Sequence, residues 1–184
     1  MVSTAIKDVT REAHQQLEKQ VVLRIKTIAS DSDYAAFLKY FYAYFSAVEQ
    51  KAVPFVAEVL NDYKERRNAS YLKADIEALG SSVEALPEAQ APEINSVAEA
   101  FGALYVLEGS IMGGPYIIQM LQKHGIDKGF SFFSGYGAAS GRMWKAFQDV
   151  LDEVGADEQS ANAAMQKASE TFEKFGHVFE AALV

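Results

Sequence analysis

Cysteine is absent from the 184 residues, which excludes disulfides, thiol nucleophiles, iron–sulfur clusters and thiolate-bound zinc. Any metal must therefore be held by histidine, carboxylate or tyrosine. Proline is scarce too: 4 Pro and 12 Gly leave room for long regular elements. No run approaches eighteen uncharged apolar residues, and the opening MVSTAIKDVTREAH carries charges with no apolar stretch. A transmembrane span or secretory leader is not expected, and a cytoplasmic location is. Basic residues are outnumbered, 17 against 25, and the resulting net charge of −8 argues against a nucleic-acid surface or attachment to a membrane of anionic lipid. What is plentiful is aromatic: 12 Phe and 9 Tyr occur in clusters, beside only 1 Trp and 3 His. The length suits one domain spanning residues 1–184, expected to be a monomer.

Apolar residues recur at three- and four-residue steps through Ile6, Val9, Ala13, Leu17 and Val21, which predicts a first helix starting near Ser3 or Thr4. The Asp31-Ser32-Asp33 cluster is suited to cap a second helix, with Tyr34, Phe37, Phe41, Tyr44, Phe45 and Val48 on one face and Pro54 as a kink or restart. A third is expected from Asn68 to Leu79, stopped by Gly80, then a Ser/Pro-containing connector through Pro92. A fourth opens at Asn95 or Ser96 and runs to Gly125, and a fifth covers about Ala138 to Val154. Asp157 caps a sixth that carries Phe172, Phe175, Phe179 and Leu183. No segment alternates like a strand, so the expected class is all-α, one domain of six helices.

Three constellations stand out. On the first helix Lys7, His14 and Glu18 fall within roughly 20–40° of one another, with Lys7 roughly 10 Å before His14 along the axis. A carboxylate one turn beyond His14 is placed to accept the Nδ1–H and leave Nε2 free for a metal, while Lys7 would reach the acidic edge of a flat ligand. Taken alone, the pattern reads first as a solvated Glu–His–Lys edge. In LEGSIMGGPYI, Gly109, Gly113, Gly114 and Pro115 interrupt a helical pattern at a cost of several kcal/mol, at about 1 per Gly and about 3 for Pro. Close helix packing and close approach of a ligand both account for the glycines, and Gly114-Pro115 favours an opened, kinked helix. Near the start of the fifth helix, Tyr136, Arg142 and Lys145 offer aromatic and basic groups beside exposed N–H groups, which would suit a carboxylate, although unaided the segment reads as a turn before an amphipathic helix with Arg142 and Lys145 solvated. The aromatic face of the second helix reads as core unless something flat binds beside it. His124 reads as a helix C-terminal cap and His177 as a surface or interface residue.

The order of these blocks resembles the bacterial haem oxygenases. TREAHQQLE is similar to that family's proximal-histidine helix, YAAFLKYFYAYFSAVE to its aromatic second helix and RRNASYLKADIEALG to its middle segment. ALYVLEGSIMGG resembles the distal helix in its LEGS-x-x-GG form, and FFSGYGAASGRMWKAF with ASETFEKFGHVFE the C-terminal part. The resemblance spans about residues 5 to 180. It implies a haem oxygenase-like fold in which haem lies between a proximal N-terminal helix and a kinked, glycine-rich distal helix. Haem would be substrate and cofactor, opened with O2 and external electrons to biliverdin, carbon monoxide and ferrous iron. His14 would be the iron ligand and Glu18 its partner. Lys7, Lys145, Arg142 and Tyr136 would meet the propionates, and Gly109, Gly113 and Gly114 would give the distal clearance. Animal members carry an Asp where this chain has Ser110, so proton delivery would rest on ordered water with Ser110 contributing. Pro115 stands where a larger polar or basic residue is the family's pattern. An electron donor such as a ferredoxin or flavin reductase is implied. The alternatives are a non-catalytic haem binder of the same fold and a thiaminase-like helical protein that binds another small aromatic ligand.

Overall fold

The helical periodicity becomes eight α-helices among residues 1–180, the part described by this computed structural model. They are α1 (Val2–Val9), α2 (Arg11–Ile25), α3 (Asp31–Val56), α4 (Ala69–Ala78), α5 (Val97–Gly109), α6 (Gly114–Lys123), α7 (Ser140–Val154) and α8 (Glu158–Glu180). Short 3-10 turns occur at Tyr63–Glu65, Ser110–Met112 and Gly137–Ala139, and no strand occurs among the described residues. Leu183, expected on the last helix, lies outside them.

Side chains cap four of the eight helix starts. Ser30, one residue before the expected Asp31-Ser32-Asp33 cap, accepts the Asp33 N–H at 3.2 Å, and the Asp33 carboxylate accepts from Ala29 N–H at 3.0 Å. The Ser30 hydroxyl, which donates to the same carboxylate at 2.8 Å, and then the Ala29 N–H hold the Asp33 carboxyl below its usual range. Asn68 caps α4 and Ser96 caps α5, where Glu99 reaches back to Asn95 N–H at 2.7 Å. Asp157 caps α8 through Ser160 N–H at 2.9 Å.

Two expected helices are each broken in two, for a shared reason. At Thr10 the hydroxyl donates to Ile6 C=O at 2.7 Å, the carbonyl that also accepts Thr10 N–H. At Ser110 the hydroxyl donates to Leu107 C=O at 2.6 Å. Side chains that bond the preceding turn compete with the helical ladder and bend it. The break at Thr10 separates α1 from α2; after Ser110 the α-helix gives way to the 3-10 turn, and at Gly113 the run Val97–Met112 and α6 meet at 47°. By contrast α3 runs through Pro54 to Val56 and does not restart there.

Helix α5 is the centre: every residue from Ala98 to Glu108, Glu99 excepted, is buried, with α8, α3 and α7 packed around it. Gly102 permits the closest approach, since a Cβ there would lie 2.2 Å from Ala164 C=O of α8. The aromatic face of α3 is core, not an open wall. Tyr44 stacks on Phe175 at 4.7 Å and Phe41 meets the same ring edge-on at 5.0 Å. Phe45 packs edge-on against Phe132 at 5.2 Å, which extends the cluster into the loop after α6.

Candidate functional site

Helix α2 presents His14 at its surface, with the ring 5.1 Å from that of Phe172 on α8. Glu18 does lie one turn on, but its carboxylate faces Nε2 at 3.5 Å, not Nδ1, and both side chains are more than half exposed. The expected tautomer lock is therefore not made: the contact is too long to fix a ring, and Nδ1 has no bonded partner among the described residues. The other histidines are placed differently. His124 bonds Ile28 C=O through Nδ1 at 2.9 Å, which ties the end of α6 to the α2–α3 link, and His177 is exposed near the end of α8.

Helix α2 packs against α6, so the histidine helix lies alongside the segment that follows the Ser110–Gly113 break. The glycines there divide by what surrounds them. A Cβ on Gly113 would meet only Ser110 C=O at 3.8 Å, and one on Gly109 would touch the Trp144 ring at an ordinary 3.5 Å. Gly114 differs from expectation, because a Cβ there would stand 1.9 Å from Phe133 C=O. Its glycine serves packing of α6 on the loop, not clearance for a ligand.

Lys7, Arg142 and Lys145 are all exposed; Lys145 pairs with Asp149 one turn on, whereas Lys7 and Arg142 have no ion pair among the described residues. Tyr136 is not available to an anion. Its hydroxyl donates to the Glu108 carboxylate at 3.1 Å and accepts Arg67 N–H at 2.9 Å, and burial followed by the Glu108 charge pushes its ionisation well above the usual tyrosine value.

Tyr136 belongs to a buried polar network that the sequence reading missed. Arg66 forks onto Asp62 at 2.7 and 2.8 Å and onto Glu108 at 2.8 Å. Arg67, 6% exposed, reaches Phe132 C=O and Leu107 C=O, each at 2.9 Å, and Ser110 Oγ at 2.6 Å. Burial holds the Arg67 guanidinium down to about 10, and burial also raises the Glu108 carboxyl against the pull of Arg66 and Arg67. One signal was present: Glu108 is the lone acid in the apolar run FGALYVLEG, and a charge so placed demands a partner. Ser110, expected to help with protons, has its single hydroxyl proton committed to Leu107 and a lone pair taken by Arg67.

The donor set suits one kind of metal. Among the described residues no three His, Asp or Glu side chains converge, so a bare ion lacks a cage. An iron already held by a macrocycle would need only one imidazole from the protein, and the exposed His14 could offer it. The family model described as "Heme oxygenase" matches residues 1–181. The chain belongs to the haem oxygenase family. It is similar to the heme oxygenase PigA of Pseudomonas aeruginosa, 28% identical over 174 residues, which cover 93% of this chain and 87% of that one. It is also similar to a heme oxygenase of Xanthomonas campestris, 34% identical over 107 residues, 57% of this chain and 62% of that one. Among solved structures, the NO- and CO-bound heme oxygenase of Neisseria meningitidis superposes with a TM-score of 0.79 at 22% identity, over 98% of this chain and 91% of that one. Heme oxygenase from Leptospira interrogans gives 0.75 at 16% identity, covering 98% of each chain. The fold of this haem oxygenase family member is thus the family's all-helical one. No single helix among its described residues is long and apolar enough to cross a membrane.

Proposed function

We propose that this chain binds haem through His14 and opens its ring with O2 and electrons from an external reductant, releasing biliverdin, carbon monoxide and ferrous iron. The observation that carries this is the 47° break at Gly113, exposed and with only Ser110 C=O within reach of a Cβ among the described residues, in a segment packed beside α2, the helix that bears His14. Bound haem supplies the oxygen-activating iron and the carbon framework that is oxidised. The chain's residues do the rest. His14 binds on one face, and Lys7 with Arg142 and Lys145 neutralises the carboxylates at the edge. Glu18, one turn from His14, is placed to turn toward the imidazole once Nε2 is engaged. Gly109 and Gly113 keep side chains off the opposite face. Ser110 accepts hydrogen bonds there but has no spare proton, so protons arrive through ordered water.

The same proposal takes residues 1–184 as one domain, supported by a core that runs from Val2 to Phe179. The chain works as a cytoplasmic monomer served by a ferredoxin-type or flavin-dependent reductase. To test the proposal, hemin is titrated into the protein and ascorbate is added in air with catalase present. A stoichiometric Soret band that gives way to biliverdin absorption is expected. A stable Soret band would reduce the protein to a haem binder, and no band at all would contradict haem binding.

A further inference from the structure

We infer that Arg67 is a positioning residue for the distal bend: its guanidinium clamps Ser110 against Leu107 and so sets how Gly109 and Gly113 face a ligand. This rests on the haem oxygenase reading for the identity of that ligand, but the clamp itself is visible without it. A helix that breaks at Ser110 frees carbonyls in its last turn. Leu107 C=O recovers two donors from outside the ladder, Ser110 Oγ at 2.6 Å and Arg67 Nη2 at 2.9 Å. Arg67 Nη2 also donates to Ser110 Oγ at 2.6 Å, which closes a triangle of three polar atoms around the break.

The other end of the guanidinium holds a different segment. Nη1 donates to Phe132 C=O at 2.9 Å, and the cation lies 3.8 Å from the centre of the Phe132 ring. The next residue in that loop is the one against which Gly114 packs. The bend is therefore gripped from both sides, by Arg67 with Phe132 and by Gly114 with Phe133.

Arg67 is an expensive choice for stability alone. It is 6% exposed and, among the described residues, its side-chain hydrogen bonds all go to neutral oxygens and its Nε has no partner. Its neighbour Arg66, by contrast, takes two carboxylates. A buried cation without a bonded counter-ion destabilises relative to an apolar residue of similar size. What only a planar fork supplies is simultaneous reach to Leu107, Ser110 and Phe132, and lysine cannot reproduce it.

The test compares Arg67→Lys, Ser110→Ala and the double variant with the parent chain. In the haem-free protein, hydrogen exchange is followed at the amides of Gly113, Tyr116 and Ile117, which bond Ser110 and Gly113 carbonyls across the break. Loss of protection at these amides by about tenfold in Arg67→Lys, with α3 unaffected, is expected for the loss of a charge-assisted bond at a local hinge. In the ferrous CO complex the CO stretching band should broaden or split as the distal backbone samples more than one arrangement. Ser110→Ala should give a smaller change of the same kind, and the double variant should not exceed Arg67→Lys, because both act on one clamp. Unchanged protection in Arg67→Lys with helicity intact would overturn the inference, as would independent, additive effects of the two substitutions. If Arg67→Lys fails to fold, Ser110→Ala decides by the same exchange readout. A parent chain that gives no Soret band with hemin contradicts the oxygenase reading, and the exchange data still decide the clamp.

Discussion

His14 is the residue on which the proposed chemistry turns, and it contributes little to the fold. Its side chain is half exposed and its contact with Glu18 is long, so replacing it should leave folding nearly intact. His14→Ala is expected to lose the histidine-ligated haem spectrum while its thermal midpoint stays close to the parent's. An unchanged spectrum would mean that another residue binds the iron. Arg66 is the opposite case. It joins two acids at a site where its own side chain is 2% and that of Glu108 6% exposed. Arg66→Met strands Glu108 without its main counter-charge, so denaturant titration should show a loss of about 3–5 kcal/mol. Of these two residues only His14 was legible in the sequence, because its flanking Lys7 and Glu18 sit at helical spacing. Arg66 and Arg67 drew no individual reading, because apart from Asp62 their partners, among them Glu108, Phe132 and Met143, lie far along the chain.

At the scale of the elements, glycines that look alike in the sequence separate by surroundings. Gly114→Ala would drive a methyl into Phe133 C=O and is expected to destabilise by about 3 kcal/mol, at the upper end of overpacking losses. Gly113→Ala makes only an ordinary contact with Ser110 C=O and should change stability by no more than about 1 kcal/mol. Measured side by side, the first pair member should fail by thermal unfolding, while the second should stay folded and lose haem turnover. Equal stability of both would contradict the packing role given to Gly114. The helix ends were readable, since Asn68, Ser96, Asp157, Gly80 and Gly125 act locally. The break at Thr10 was not, because a threonine hydroxyl bonded to the preceding turn leaves the apolar period intact. The bend in the distal segment was anticipated from Gly114-Pro115, and the 47° break falls beside them at Gly113, after a 3-10 turn that begins at Ser110. The aromatic face of α3 was also left between core and pocket wall, a choice that depended on Phe175, Phe132 and Phe133 arriving from elsewhere in the chain.

For the whole molecule, the acidic balance hides two carboxyls that behave unlike the surface acids, Glu108 in the buried network and Glu49. Glu49 accepts Ala69 N–H at the start of α4, and burial nonetheless pushes its carboxyl up from 4.5 to about 7. A carboxyl that is easier to protonate when folded favours the folded state at low pH and loses that contribution as pH rises from about 4.5 through about 7. Asp33, Glu93 and Asp157, held below their usual values, run the other way and favour the fold once the pH is above the unfolded carboxyl range. Glu49→Gln keeps an oxygen for Ala69 and removes the titration, so the parent should lose stability relative to this variant across that window. Parallel stability curves would refute the assignment. The surface charge, then, says little about what is bound, and the proposed haem edge depends on a few local cations within it. The reaction as a whole is tested most directly by carbon monoxide yield from the hemin-loaded protein, supplied with reductant in air and protected by catalase. Release of CO equimolar with the haem consumed is the result expected, and haem loss without CO, or haem left intact, would contradict the assignment of ring-opening activity.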